Sequence, residues 1–144
     1  VIILTATYPR TLDVDTLVLL DHSLVHSGDL GGPTSIHPDL PMRSGEIGIK
    51  RAILEDGLLL MMRAGMVDLV MSTDGMGYRA ADNAAAFVGV LESSYVTRLV
   101  ETAQWIAEEF AYDTHAEMRQ RMRATLGRWV EEFDSHPPIT SEVQ

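Results

Sequence analysis

Residues 57–79, GLLLMMRAGMVDLVMSTDGMGYR, decide the fold. An apolar helical run reaches Ala64-Gly65, where glycine stops it because the left-handed conformation that ends a helix costs glycine nothing. Met66 to Met71 follows as a strand-like run. Ser72-Thr73-Asp74-Gly75 is then a turn signal, and Gly77-Tyr78-Arg79 begins a return strand, which makes the segment a β-hairpin.

Upstream, residues 44–64 carry Ile47, Ile49, Ile53, Leu54, Leu58, Leu59 and Met62 near a helical period. Gly48 and Gly57 weaken that run, so two helices meeting near Gly57 are expected. Leu12 to Ser27 reads as an earlier helix, capped by Asp13 and ended by Gly28, with Val14 and Leu19 widening its apolar face beyond one side. Helix, helix, helix, hairpin is the order of a winged helix-turn-helix. Between the first two helices lies a long connection, 28–42, where Gly31, Gly32, Pro33, Pro38 and Pro41 forbid regular structure. Its apolar residues Leu30, Ile36, Leu40 and Met42 predict that it packs onto the body.

Downstream, a short helix is expected from Asp82 to Leu91 and a longer one from Ser94 to Ala111. Thr114 with Glu117 forms a capping box that opens a last helix running to Phe133. The expected fold is therefore mostly α (α+β): a winged helix-turn-helix-like core over 1–91, a C-terminal helical hairpin over 92–134 and a flexible tail over 135–144. Tyr95, Phe110, Met118, Met122, Trp129 and Phe133 lie on the apolar faces of the C-terminal helices. A small core need not cover them all, so they are interface candidates as well as core candidates.

Composition narrows the function classes. The chain has 144 residues, 46% of them apolar, enough to form one domain with a hydrophobic core. No cysteine occurs, which removes disulfides, thiolate nucleophiles and cysteine metal sites together. Apolar stretches such as Leu58 to Met62 fall far short of the roughly 20 residues a membrane span needs, and no basic segment opens the chain as a signal peptide would. A reducing, cytoplasmic setting fits. The opening Val1-Ile2-Ile3-Leu4, without an initiator methionine, suggests a truncated or processed start.

Twenty-one acidic against eleven basic residues give a net charge of −10, which disfavours nucleic acid and anionic membranes as autonomous partners. Lys50 is the single lysine, and arginine suits carboxylate pairing at protein surfaces better than lysine does. From Arg43 to Arg79, where a winged helix would touch DNA, five basic residues face five acidic ones. A DNA reader carries a clear positive excess there.

His22 and His26 lie one helical turn apart, the spacing at which two imidazoles share a metal, and Asp29 or His37 is available as a third ligand. The metalloprotease pattern needs Glu after the first His, where Ser23 stands. The plainer reading makes one histidine core or capping and the other solvent-facing. His26, Ser27 and Asp29 are triad types, but adjacency in sequence makes no triad. No catalytic residue, metal or cofactor is assigned.

Three segments together carry a resemblance: YPRTLDVDTLVLLDHSLVHSGDL from Tyr8, SIHPDLPMRSGEIGIKRAIL from Ser35 and GLLLMMRAGMVDLV from Gly57. They resemble the middle component of bacterial ABC three-component conflict systems, the group overlapping Lamassu-type antiphage systems. The most specific features are His26-Ser27-Gly28-Asp29, His37-Pro38 and Arg43-Ser44-Gly45-Glu46. The resemblance implies a non-enzymatic winged-helix adaptor in antiviral defence, set between an SMC/Rad50-like ATPase and an effector protein, meeting DNA only through the complex. It supplies no catalytic residues. For Asp29, Arg43 and Glu46 a structural role and a partner contact stand side by side, whereas His26 and His37 read as loop anchors. Self-association is compatible, and the competing class is a winged-helix transcription regulator.

Overall fold

The computed structural model describes residues 1–37, 46–73 and 75–126. Within them the chain runs through α1 (Ile2–Ala6), α2 (Val14–Val25), a 3-10 turn (Ser27–Leu30), α3 (Glu46–Arg63), β1 (Val67–Ser72), β2 (Gly75–Ala80), α4 (Ala84–Gly89), α5 (Ser94–Glu109) and α6 (His115–Leu126). This is a mostly helical α+β fold with a winged-helix-like layout, in which helices precede one small antiparallel hairpin.

α2 is the central element. Asp13 caps it by accepting the Thr16 backbone N–H at 2.7 Å, which satisfies one of the donors a helix start leaves open. Every residue from Thr16 to Leu20 is buried, so the wide apolar face expected of this helix is covered by α3, α5 and α6 together. Leu12, Leu19 and Leu20 are at most 1% exposed, and burying such a side chain contributes about 1.5–3 kcal/mol.

Sequence period missed α1, because five residues are too few to display one. Ile3 and Leu4 are nonetheless buried, and α1 packs on α5, β2 and α4. The expected break at Gly57 is also absent: α3 runs unbroken from Glu46 to Arg63. A mid-helix glycine weakens a helix by about 1 kcal/mol, and the apolar contacts on either side outweigh that.

α3 ends as anticipated. Gly65 has φ +75°, its N–H donates to Met62 O and the Met66 N–H donates to Met61 O, the paired bonds of a Schellman stop. The chain then enters a hairpin in continuous register from Val67 opposite Ala80 to Ser72 opposite Gly75. Gly77 lies against Thr11 and Leu12, where a Cβ would come within 2.4 Å of Thr11 Cγ2. That close approach lets Leu12 exchange hydrogen bonds with Tyr78 along the edge of β2.

α5 starts at the Ser93 cap, whose hydroxyl accepts the Val96 N–H. α6 starts at the expected capping box, with Thr114 N–H on Glu117 Oε2 at 2.9 Å and Glu117 N–H on Thr114 Oγ1 at 3.1 Å. The principal packing of these two helices is against the body, α5 on α1 and α2, α6 on α2 and the 3-10 turn. Asp13 ties the start of α2 to α6 through His115 at 3.2 Å and Arg119 at 3.5 Å. Burial works against ionisation of Asp13, but the Thr16 bond and these two partners outweigh it and lower its pKa.

Candidate functional site

The family-like residues at the end of α2 build a folded-back turn. α2 does not end at Gly28: it stops at Val25, the 3-10 turn follows, and the left-handed position falls on Gly31 with φ +74°. Ser27 is fully buried, and its hydroxyl donates to Pro33 O at 2.8 Å. The Gly28 N–H donates to Ser35 Oγ, and the N–H groups of Ile36 and His37 both donate to Val25 O at 3.0 Å. Leu30 packs against the core, so the connection folds onto the body as far as His37.

Gly28 and Gly32 are positions of close approach. A Cβ on Gly28 would come within 2.8 Å of Ser35 Oγ, and one on Gly32 within 2.6 Å of the Trp105 ring. Ser27 and Gly28 therefore shape the turn, while Gly28 and Asp29 remain exposed on it. Trp105 lies outside the apolar repeat of α5, so spacing alone does not mark it. A large aromatic directly before Ile106 on α5 was the available signal.

Four rings gather beside this turn. His22 and His26 have centroids 4.5 Å apart, His26 meets His37 edge-on at 6.3 Å, and His37 Nε2 lies 3.0 Å from the Tyr95 hydroxyl. Burial, followed by the neighbouring His26 and Lys50, lowers the His22 pKa to about 3, so its ring is neutral at physiological pH. The structure thus brings together His22, His26 and His37, yet no three metal-type side chains among the described residues are arranged to hold an ion. His37 thus links the turn to α5 through Tyr95, and His26 lies between the His22 and His37 rings.

Pro38, Arg43 and Gly45 lie outside the described residues, as do Trp129, Phe133 and the tail; Glu46 opens α3, but its side chain is likewise not described. Among the C-terminal interface candidates, Phe110, Met118 and Met122 are at most 3% exposed and belong to the common core. They offer no surface because α5 and α6 pack on α1, α2 and the turn. Tyr95 is exposed, with its hydroxyl engaged by His37.

A bare apolar stripe lies on α3. One face buries Leu58 and half-buries Leu54, Met61 and Met62. A second stripe carries Ile49, Ile53 and Leu60 at i, i+4 and i+11, each at least 60% exposed, positions that share one helical face. Gly57 falls on this stripe, and a Cβ there would meet nothing within 4 Å. Alongside runs a groove of about 320 Å³ lined by Asp21, Lys50, Ile53, Leu54, Gly57 and Met61. Burial raises the Asp21 carboxyl pKa, and Lys50 counters it. Arg51 is committed to Asp15 and to Glu55, 3.2 Å away, which fixes α3 against α2. The sequence held this signal as apolar residues in two helical phases; reading them as one face concealed the second.

No helix among the described residues is long and apolar enough to cross a membrane. One family model matches the chain, that of the ABC-three component (ABC-3C) system Middle Component 2, over residues 1–132. No curated protein and no solved structure matches.

Proposed function

Since the chain belongs to the ABC-three component system Middle Component 2 family, we propose that it is a non-enzymatic adaptor of a bacterial antiviral defence complex, related to the Lamassu type and acting in the cytoplasm. In this reading it joins an SMC/Rad50-like ATPase to an effector protein. The observation that carries it is the outer stripe of α3, where Ile49, Ile53 and Leu60 stand exposed beside a groove. Monomeric proteins keep such residues scattered, and an aligned stripe suits a helix laid into a groove.

The occupant is an amphipathic helix of the ATPase component. Gly57 lets its backbone approach, and basic flanks on it complement a chain of net charge −10. The effector meets the turn side, where Gly28, Asp29, His37 and Tyr95 are exposed. The charge also weighs against the competing regulator, because Arg51 is already paired with Asp15 and Glu55.

Co-expression of all three components with a tag on the effector tests the bridge. The ATPase is expected in the eluate only when this chain is present. Equal recovery of the ATPase without it, or sequence-specific DNA binding by the isolated chain, overturns the adaptor reading.

A further inference from the structure

Among the described residues the outer edge of β1 has no strand beside it. Tyr78 exchanges both backbone bonds with Leu12, at 2.9 and 2.8 Å, so its N–H and C=O point away from β1. In an antiparallel ladder the residue opposite, Leu69, then also points its groups away from the pair. Alternation gives Val67 and Met71 the same orientation. The Ala81 N–H donating to Met66 O confirms the phase, because Met66 falls among the inward-bonding positions.

Val67 is buried, whereas Leu69 and Met71 are 47% and 72% exposed. Leu69 and Met71 are thus the exposed residues whose N–H and C=O groups point outward, and no strand pairs with them among the described residues. Side chains on the same face continue the apolar surface: Leu69 lies opposite Tyr78, and Met71 opposite the exposed Met76. Proline, lysine and bulges, which proteins use to blunt such edges, are all missing from the continuous register of β1.

We propose that β1 pairs antiparallel with β1 of a second copy of this chain, forming a four-stranded sheet across a twofold axis at Val70. This inference is independent of the adaptor reading. The register follows from the accessible groups. Leu69 faces Met71 of the second copy and exchanges both hydrogen bonds with it, and the symmetric pair does the same. Across the sheet one apolar row then reads Met76, Met71, Leu69 of the second copy and Tyr78 of the second copy, and its symmetric counterpart is identical.

On the other face Val70 meets Val70 of the second copy, and Asp68 stands opposite Ser72 of the second copy, so no like charges oppose each other. Asp68 already faces Arg79 within its own hairpin, which leaves the strand pair locally neutral. One strand pair covers less than the roughly 800 Å² per partner of a standard interface, so association depends on concentration. Like net charges of −10 oppose it, so added salt strengthens it.

Sedimentation of the purified full chain over a concentration series reads the dimer directly. Val70→Cys adds a single thiol to a chain without cysteine. At a non-hydrogen-bonded pair the two Cα atoms stand about 4.5 Å apart, within disulfide reach. Mild oxidation is expected to cross-link Val70→Cys at least about 10-fold faster than Met76→Cys, which two intervening strands separate from its symmetry mate. Met71→Lys keeps the backbone and charges the apolar row; Leu69→Pro removes an outward N–H. Both are expected to sediment as monomers with unchanged circular dichroism. A wild-type chain that stays monomeric at every concentration and salt overturns the proposal, as it would if the edge served a strand of another component. A dimer in which Val70→Cys cross-links no faster than Met76→Cys overturns it equally, by placing the interface elsewhere.

Discussion

His22 makes the fold acid-sensitive. Its folded pKa is about 3, while an unfolded histidine titrates near 6.5. Between these values the unfolded chain holds a proton that the folded chain rejects, so the stabilisation is complete above about pH 6.5 and is lost as pH falls toward 3, at up to about 1.4 kcal/mol per pH unit. The loss in melting temperature between pH 7 and pH 5 is expected to shrink in His22→Asn. An unchanged pH dependence in that variant would assign the acid sensitivity to other groups. Ser27 is a structural residue by the same kind of argument. Ser27→Ala leaves the bond to Pro33 O unmade and costs about 1 kcal/mol or more, and amide exchange at Ile36 and His37 is expected to quicken as the turn loosens.

At the scale of elements, α3 separates stability from assembly. Gly57→Ala adds a Cβ that meets nothing and is expected to stabilise the isolated protein by about 1 kcal/mol, as for any exposed mid-helix glycine. The same methyl stands where a docked helix would approach, so binding of the ATPase component is expected to weaken. A variant that melts higher and binds normally would place the partner off this stripe. Asp13→Ala removes a cap and the tie to His115 and Arg119 together, at about 1–2 kcal/mol. Thermal melting checks it.

What the sequence disclosed at this scale was local chemistry. The Asp13 cap, the Gly65 stop and the Thr114–Glu117 box each act through residues a few positions apart, and each has the geometry its motif requires. What stayed hidden depends on distant partners. Continuous α3 persists through Gly57 because its flanks pack on α2 and β1. Phe110, Met118 and Met122 are core because α2, with three helices around it, supplies more cover than a small winged core suggests. The meeting of His37 with His26 and Tyr95 required the turn to fold back, which no spacing in the chain encodes.

For the whole molecule, the described apolar residues form a core and leave others uncovered, among them the outer stripe of α3 and the exposed residues of the hairpin. Two apolar phases on one helix do different work: Leu58 closes the fold, and Ile53 with Leu60 faces outward. The most direct measurement is the affinity of Ile53→Asp/Leu60→Asp for the proposed ATPase partner, taken together with its melting temperature. Anchors of a buried interface cost about 2 kcal/mol or more each when lost, roughly 30-fold in affinity. A loss of at least that size is expected, with melting unchanged within a few degrees. Wild-type affinity in the double variant, or a melting temperature that collapses, would contradict it.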